Sequence, residues 1–291
     1  MTFHEFMEAL PSWMVFLFVL VNMFGLGLAL TVSQISTPLK SAPIVVKALV
    51  TNFVLVPAIA YGLAKVLELE HSLALMLVIL SCSAGDPFTT KLTQSAKGDK
   101  AFSLAIMTML SVGTIIFMPI LLPILLPGVS VNPIEIIKPL VVLILIPLVI
   151  GLILKVRFST FAAKWAPIMD RLGTILIVIA VILFAVMHFE DISASFGSHT
   201  LLACFLLVIS ATFLGYFFGS SKQQQKGDLA INAGYRGVSA AMAVGIRNFP
   251  GNQNIFTVAI IMVLISVIIL TPFASIFLRK KNTIPLAESK A

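Results

Sequence analysis

Long apolar stretches separated by short polar gaps run along the whole chain. Each stretch is close to the about 20 residues that an α-helix needs to cross a bilayer. None of the gaps is long enough to hold a soluble domain, so residues 1–291 are expected to form a single integral membrane domain. The pattern predicts nine spanning helices, at about 13–31, 43–66, 71–97, 101–127, 133–155, 167–188, 198–219, 227–248 and 253–278.

Composition supports an all-α, multi-pass membrane protein. Hydrophobic residues make up 59% of the 291 positions and charged residues only 11%, against about a quarter in soluble domains. A soluble enzyme and a disordered chain are therefore excluded. The two cysteines, Cys82 and Cys204, lie in apolar runs, which argues against a disulfide framework or a metal cluster.

The basic residues indicate an orientation rather than a nucleic-acid partner. They lie in short gaps between apolar runs, and cytoplasmic gaps of membrane proteins are enriched in Lys and Arg. With the N-terminus outside, the inner gaps and the C-terminal tail collect 15 of the 19 basic residues. We therefore expect a protein of the cell membrane with an external N-terminus and a cytoplasmic C-terminus. The 15 are Lys40, Lys47, Lys91, Lys97, Lys100, Lys155, Arg157, Lys164, Arg171, Lys222, Lys226, Arg279, Lys280, Lys281 and Lys290.

Two of the predicted spans are interrupted. The third contains Ser-Ala-Gly-Asp-Pro at 83–87, and the eighth contains Asn-Ala-Gly-Tyr-Arg-Gly at 232–237. If the fifth span is left out, each interrupted helix is third in a set of four, and spans 1–4 and 6–9 run in opposite directions. Inverted halves, here about 13–127 and 167–278, with matching broken helices are a recurrent design of secondary transporters. The alternative is that each interruption is a kink that eases packing.

Arg236 is the most informative residue of the second interruption. An arginine at the centre of a spanning helix costs about 2.5–3.5 kcal/mol on insertion scales, so it is expected to pair, line a pathway or bind an anion. Asp86 lies at the opposite interruption. We expect Asp86 either to face Arg236 as an ion pair or to cap the half-helix that starts at Pro87, and the two roles are compatible.

Other polar side chains near the interruptions are candidate ligands for an ion or a substrate. Hydroxyl and amide oxygens bind cations, although a threonine in a helix commonly bonds to a carbonyl of its own helix. A buried amide often only ties helices together. With Arg236 and Asp86, the candidates are Asn52, Thr89, Thr90, Ser103, Asn232 and Tyr235.

Enzyme signatures are absent from the predicted spans. No histidine pair has the i, i+4 spacing of a zinc site, and no paired carboxylates or nucleophile motif lies within a span. We therefore expect a protein that is not an enzyme and has no cofactor other than a coupling ion, Na⁺ or H⁺.

Several short motifs resemble the bile acid:sodium symporter (BASS) family. They are Ala-Lys-Gly-Asp-Lys-Ala-Phe-Ser at 96–103, Gly234 in the second interruption, and Asn52-Phe53 ahead of Pro57. The resemblance extends from about residue 13 to 278 and includes the nine-span layout. It implies alternating-access transport of an organic anion, in which a core domain with two crossing broken helices moves against a panel domain.

The resemblance also implies sodium ligands, and this chain departs from them. The family's Glu falls on Asn232, its Gln on Arg236 and one hydroxyl ligand on Met107, so Thr89, Thr90, Ser103 and Asn232 remain as a vestigial sodium site. A guanidinium has no acceptor for Na⁺. We hypothesise that Arg236 stands where the ion would sit, which would make transport independent of sodium or coupled to protons through Asp86.

Three alternatives remain open. The first is a conventional symporter that uses one remaining sodium site. The second is a channel or exporter of another inverted-repeat fold, and the third a membrane enzyme or receptor. The expected partners are a small organic anion and membrane lipid. The sequence sets neither the substrate, the transport direction nor the oligomeric state.

Overall fold

The computed structural model describes residues 3–31, 41–126, 132–187, 199–219, 223–249 and 254–279, and every regular element within these ranges is helical. Five of the described helices hold a stretch long and apolar enough to cross a membrane, namely α2, α5, α6, α8 and α11. The predicted all-helical, multi-pass membrane class is therefore confirmed. The helices are α1 Phe3–Ala29, α2 Ala42–Val66, α3 His71–Ser81, α4 Phe88–Ser95, α5 Lys100–Leu125, α6 Pro133–Arg157, α7 Ser159–Met187, α8 His199–Phe218, α9 Gln223–Gly234, α10 Val238–Asn248 and α11 Asn254–Arg279.

Both predicted interruptions are present, and two predicted boundaries are wrong. Helix α1 begins at Phe3, ten residues before the expected start at 13. The backbone leaves the helix between α3 and α4 and again between α9 and α10. However, α7 begins at Ser159, well before the expected start at 167, and Phe158 alone separates it from α6. Charged residues such as Lys164 mark where a helix leaves the apolar part of the bilayer, and this need not be where the helix ends. Of the residues used for the orientation, Lys40, Lys222, Lys280, Lys281 and Lys290 lie outside the described ranges.

Helix α1 packs against α6 and α7. Glycines allow the backbones to approach closely, as small residues do between membrane helices. A Cβ at Gly27 would meet the backbone of α6 near Gly151, and a Cβ at Gly173 of α7 would meet the Asn22 amide of α1. These three helices therefore form one layer that is held together by close contacts.

The interrupted helices lie inside the remaining helices. All six residues from Leu75 to Leu80 of α3 are at least 96% buried, and a helix that is apolar on every side belongs in an interior. Helix α9 is covered by α8 and α11, and α4 and α9 both contact α5. This packing places the two interruptions at the centre of the molecule, away from lipid.

Candidate functional site: the two helix interruptions

The two interruptions contact each other directly through their backbones. The Gly237 N–H donates to the Ser83 carbonyl at 3.0 Å, and the Ser83 hydroxyl donates to the Gly237 carbonyl at 2.7 Å. Backbone groups freed by a helix break are tolerated in a membrane only where protein or a wet cavity satisfies them. Here each break supplies hydrogen-bond partners for some of the freed backbone groups of the other.

Helix α5 supplies the remaining support for the first break. The Thr114 hydroxyl accepts from the Ala84 N–H and donates to the Ala84 carbonyl, both at 2.9 Å, and the Ser111 hydroxyl donates to the Gly85 carbonyl. The sequence reading did not single out this pair. The available signal was the i, i+3 spacing of two hydroxyl residues on one face of an otherwise apolar helix.

Arg236 lies in the second interruption and is 99% buried. Its Nη1 donates to Asn52 Oδ1 at 2.8 Å and to the Ala233 carbonyl at 3.0 Å. Its Nη2 donates to the Asn52 carbonyl at 3.4 Å and to the Ser81 carbonyl. Its Nε donates to the Leu80 carbonyl at 3.4 Å. A guanidinium has five N–H donors, and oxygen acceptors are present for all five. We call these acceptors the oxygen cage.

The local sequence explains why these oxygens are available. Leu80 and Ser81 end α3, and Ala233 lies at the end of α9. The last carbonyls of a helix have no partner in the next turn and carry about half a negative charge. In α2 the residues Thr51–Leu55 form a π-turn, because the Val56 N–H bonds to Thr51 instead of Asn52, and Pro57 has no N–H to offer. The Asn52 carbonyl is therefore left to Arg236.

Asp86 caps a helix and does not pair with Arg236. Its Oδ1 accepts from the Phe88 N–H at 2.9 Å at the start of α4, which confirms the predicted capping role. Among the described residues no salt bridge joins Asp86 to Arg236, so the ion-pair expectation is wrong. The reason is that the C-terminal carbonyls of α3 and α9 already neutralise the guanidinium.

Four buried polar side chains of α4, α5 and α9 form a second group, which we call the polar cluster: Thr89, Thr93, Ser103 and Asn232. The Thr89 hydroxyl donates to Asn232 Oδ1 at 3.0 Å, and the hydroxyls of Thr93 and Ser103 are 3.1 Å apart. Asn232 Nδ2 lies 3.5 Å from the Ser103 hydroxyl. Each of the four is 0% exposed, so the cluster joins helices from both interruptions inside the protein.

The remaining candidates lie beside these two groups. The Thr90 hydroxyl bonds to the Pro87 carbonyl of its own helix at 2.8 Å, the alternative foreseen for a helical threonine. The Tyr235 ring packs against Phe88 with centroids 5.0 Å apart, so it braces the two breaks against each other. The structure thus brings Thr89, Ser103 and Asn232 together and leaves Thr90 and Tyr235 outside the polar cluster.

One buried acid, Asp228, was not among the site residues predicted from the sequence. Asp228 of α9 is 0% exposed, and its carbonyl accepts from Asn232 Nδ2 at 2.9 Å. The signal was present, since Asp228 precedes Asn232 by four residues and so shares its helix face. Within the described ranges no group of three His, Cys, Asp or Glu side chains is suited to a metal ion.

Two cavities open where α1, α6 and α7 meet the helices that carry the interruptions. One, of about 710 Å³, lies between α1, α6 and α10; it is mainly apolar and contains Lys138 and Arg247. The other, of about 270 Å³, lies between α1, α7, α4 and α5 and is lined by Thr90, Lys100 and Asp170 among others. They lie at different levels of this boundary: the larger is at the start of α6 and the end of α10, and the smaller is at the end of α1 and the start of α5.

An ion pair joins α4, which follows the first interruption, to α7 in the layer formed by α1, α6 and α7. Lys91 Nζ of α4 lies 3.2 Å from the Asp170 carboxylate of α7, and it also donates to the Asp170 carbonyl and the Thr174 hydroxyl. Asp170 is 64% exposed. The pair therefore closes the edge of the smaller cavity at a position that water reaches.

Helices interrupted in the interior of a multi-pass bundle define a class of membrane transporters. In agreement, the model of the Sodium Bile acid symporter family matches residues 16–195, more than half of the chain. The chain therefore belongs to the sodium bile acid symporter family.

Curated relatives agree with this assignment at low identity. The hepatic sodium/bile acid cotransporter of Rattus norvegicus is 25% identical over 260 residues, which cover 85% of this chain and 71% of the rat protein. The uncharacterized sodium-dependent transporter YocS of Bacillus subtilis is 26% identical over 174 residues, 57% of this chain and 53% of YocS. The probable sodium/metabolite cotransporter BASS1 of Arabidopsis thaliana chloroplasts is 23% identical over 211 residues, 72% and 52% of the two chains. The chain thus spans about half the length of the last two.

Proposed function

We propose that this protein is a secondary active transporter of a small organic anion that works by alternating access. In this proposal nine spans form two inverted repeats, and the core that carries the interruptions moves against a panel made of α1, α6 and α7. The protein lies in the cell membrane with its N-terminus outside. The observation that carries the proposal is the direct bonding of the two interruptions at the centre of the molecule.

The two cavities support this proposal by their position and charge. They lie at different levels of the boundary between panel and core, as entry and exit sites on either side of a moving barrier would. Lys138 and Arg247 line the larger cavity, whereas Lys100 and Asp170 both line the smaller one. Because positive side chains attract anions and repel cations, Lys138 and Arg247 favour an anionic substrate in the larger cavity.

We further propose that Arg236 replaces one coupling cation. In secondary transporters, half-helix C-termini and unwound carbonyls are the groups that coordinate Na⁺. Here the same kind of groups surround the Arg236 guanidinium. The tethered cation needs no ion gradient to occupy the oxygen cage, so the crossing of the two breaks is held together without sodium at this position.

Changing Arg236 to Gln should increase the sodium dependence of transport. Glutamine supplies an amide oxygen in place of a fixed positive charge, so Na⁺ can enter the oxygen cage. Uptake of labelled organic anions into proteoliposomes, in NaCl, KCl or choline chloride, measures this. In the unchanged protein we expect either no sodium requirement or a Hill coefficient for Na⁺ of about one, and in Arg236→Gln a higher one.

A steep sodium requirement in the unchanged protein, with a Hill coefficient near two that Arg236→Gln leaves as it is, would contradict the replacement. Absence of any saturable, gradient-driven uptake across a panel of bile acids and small carboxylates would contradict the transport proposal itself. Facilitated flux that no gradient concentrates would instead favour a channel.

A second candidate is a symporter that uses one remaining sodium site. The polar cluster favours it, because three hydroxyls and an amide are buried together next to the carboxylate of Asp228. Proton coupling through Asp86 is a further version. If Arg236 replaces the only coupling cation, uptake is indifferent to Na⁺; if one sodium site remains beside it, uptake saturates with a single Na⁺. If protons couple through Asp86, uptake follows the proton gradient and is lost in Asp86→Asn.

Breaking the Lys91–Asp170 pair should change the transport rate more than the stability. An exposed ion pair contributes about 1 kcal/mol or less, which alters an equilibrium between two conformations up to about fivefold. In Asp170→Asn we therefore expect initial uptake rates to change by that order, with an unchanged melting temperature. Rates equal to those of the unchanged protein, in both Asp170→Asn and Lys91→Met, would show that the pair does not act as a gate.

A further inference from the structure

Another cavity lies between the end of α2, the start of α3 and the end of α5. Its volume is about 380 Å³, which is within the range of pockets that hold small-molecule ligands. None of the described residues that line it belongs to α1, α6 or α7, so it is separate from the two cavities at the boundary between panel and core. The proposed transport cycle therefore leaves it without a role.

The lining of this cavity is polar at one end and apolar at the other. The polar lining residues Lys65, Glu68 and His71 are exposed and lie where α2 ends and α3 begins. Leu75 and Val78, one and two turns into α3, are at least 96% buried. Charged side chains at the ends of membrane helices mark the level of the lipid headgroups. The cavity therefore runs from the headgroup level towards the apolar interior of the bilayer, which is how a phospholipid is oriented.

The polar end of the cavity carries two opposite charges that are not paired with each other. Among the described residues neither Lys65 nor Glu68 forms a salt bridge, and the Lys65 ammonium lies 4.7 Å from the centroid of the Tyr61 ring. The nearby Glu70 does not line the cavity, and its carboxylate accepts from the Ser72 hydroxyl at 3.1 Å. A cation and a carboxylate side by side are complementary to a zwitterion.

Glu68 is held in a backbone conformation that usually requires glycine. Its φ is +49°, its N–H donates to the Lys65 carbonyl at 3.2 Å, and the Leu69 N–H donates to the Ala64 carbonyl at 3.0 Å. These two bonds define the Schellman motif, in which the position of Glu68 is most often glycine. A residue with a Cβ is strained there, and residues kept in such conformations cluster at ligand sites. Ending α2 does not require a carboxylate at this position, so we ascribe the glutamate to a ligand.

We propose that this cavity binds a phospholipid whose headgroup carries a primary amine, of the phosphatidylethanolamine type. The Lys65 ammonium binds the phosphate, and the Glu68 carboxylate accepts hydrogen bonds from the ammonium of the headgroup. Leu75 and Val78 contact an acyl chain. A trimethylammonium group has no N–H to donate, and a glycerol headgroup has no positive charge. Phosphatidylcholine and phosphatidylglycerol should therefore bind less tightly.

Lipid binding can be measured on the purified full-length protein in detergent, without any transport substrate. Phosphatidylethanolamine should raise the melting temperature more than phosphatidylcholine or phosphatidylglycerol with the same acyl chains. Native mass spectrometry should show the same order of binding. Because an exposed ion pair contributes about 1 kcal/mol or less, Lys65→Met and Glu68→Gln should each lower the affinity for phosphatidylethanolamine up to about fivefold. In Glu68→Gln the preference over phosphatidylcholine should disappear.

Glu68→Gly separates the strain from the lipid contact. Glycine relieves the strain, so the melting temperature without lipid should rise by about 2 °C, while the additional stabilisation by phosphatidylethanolamine should be lost. Lys97→Gly is the matched control. Lys97 is exposed, has a φ of +60° and occupies the same position of a Schellman motif at the end of α4, with bonds to the Gln94 and Thr93 carbonyls. It does not line the cavity, so Lys97→Gly should gain stability and keep its full response to the lipid.

Several outcomes would overturn this site. One is equal stabilisation by the three phospholipids, and another is an unaltered response to phosphatidylethanolamine in both Lys65→Met and Glu68→Gln. Loss of the response in Lys97→Gly would show that the cavity is not its cause. If glycerophosphoethanolamine, the headgroup without acyl chains, stabilised the protein as much as the lipid does, the apolar end would not bind a chain. None of these measurements involves uptake, so they stand whether or not the transport proposal does.

Discussion

Replacement of Arg236 by alanine is expected to destabilise the protein by about 3–5 kcal/mol, because it removes a buried charge and all the donors of the oxygen cage. The carbonyls of Ser81, Ala233 and Asn52 would then be buried without their present partner. For a protein of this size the melting temperature should fall by about 10 °C. Organic-anion uptake should be lost, because the crossing of the two breaks is no longer held.

One further variant of Arg236 and one control variant elsewhere show whether the geometry or the charge of Arg236 matters. Arg236→Lys keeps the positive charge, but an ammonium has three donors in place of a planar fork of five. It should recover less than half of the lost stability. Arg157→Ala changes an exposed arginine at the end of α6 and should stay within about 0.5 kcal/mol of the unchanged protein. Full stability of Arg236→Lys would show that the charge alone suffices.

The chain supplies its own probe for these measurements. Cys82 and Cys204 are both free thiols and 0% exposed. A fluorogenic maleimide should therefore react only as the detergent-purified protein unfolds. The same reporter applies to every variant that keeps both cysteines.

Replacement of Gly85 by alanine should be comparably severe. Gly85 has a φ of +81°, a backbone conformation that costs a residue with a Cβ about 1–2 kcal/mol. A Cβ there would also overlap the Ser111 amide nitrogen and the Met107 carbonyl of α5. We expect a loss of about 3 kcal/mol or more, seen as a lower melting temperature and a loss of uptake, since the first break can no longer lie against α5.

Gly62→Ala is the matched control for this change. Gly62 lies within α2 at a position where an added Cβ meets no atom within 4 Å. Alanine there should leave the stability unchanged or raise it by up to about 1 kcal/mol, since alanine is the better helix former. If Gly85→Ala had the same melting temperature as Gly62→Ala, the close approach of the first break to α5 would not be important for stability.

The sequence predicted the multi-pass helical class and both interruptions because these depend on local properties. A run of about 20 apolar residues is readable in any context, and glycine combined with proline or polar residues in a short stretch, as at 83–87 and 232–237, disfavours a helix. The start of α7 was missed because the charges at Lys155 and Lys164 indicate the membrane surface, while helix formation continues beyond it. The capping role of Asp86 was also local, since it involves the N–H two residues away.

The partners of Arg236 were not predictable in this way. They come from α2, α3 and α9, up to 184 residues apart in sequence, and most of them are carbonyl oxygens. Every residue has a carbonyl, so no residue type signals one that is free. The expectation of an Arg236–Asp86 pair assumed that a buried charge needs an opposite side-chain charge, whereas two helix ends and a π-turn provide the compensation.

By itself the sequence determined that this is a multi-pass helical membrane protein with two broken helices and a buried arginine, because apolar length and helix-breaking residues act locally. Only the tertiary structure decided what those features face. It placed Arg236 among carbonyl oxygens, joined Ser83 to Gly237, and left the Asp228 carboxylate buried beside Thr93 and Ser103. These relations depend on how separate helices pack, and packing distant segments together is a property of the whole fold that no local pattern specifies.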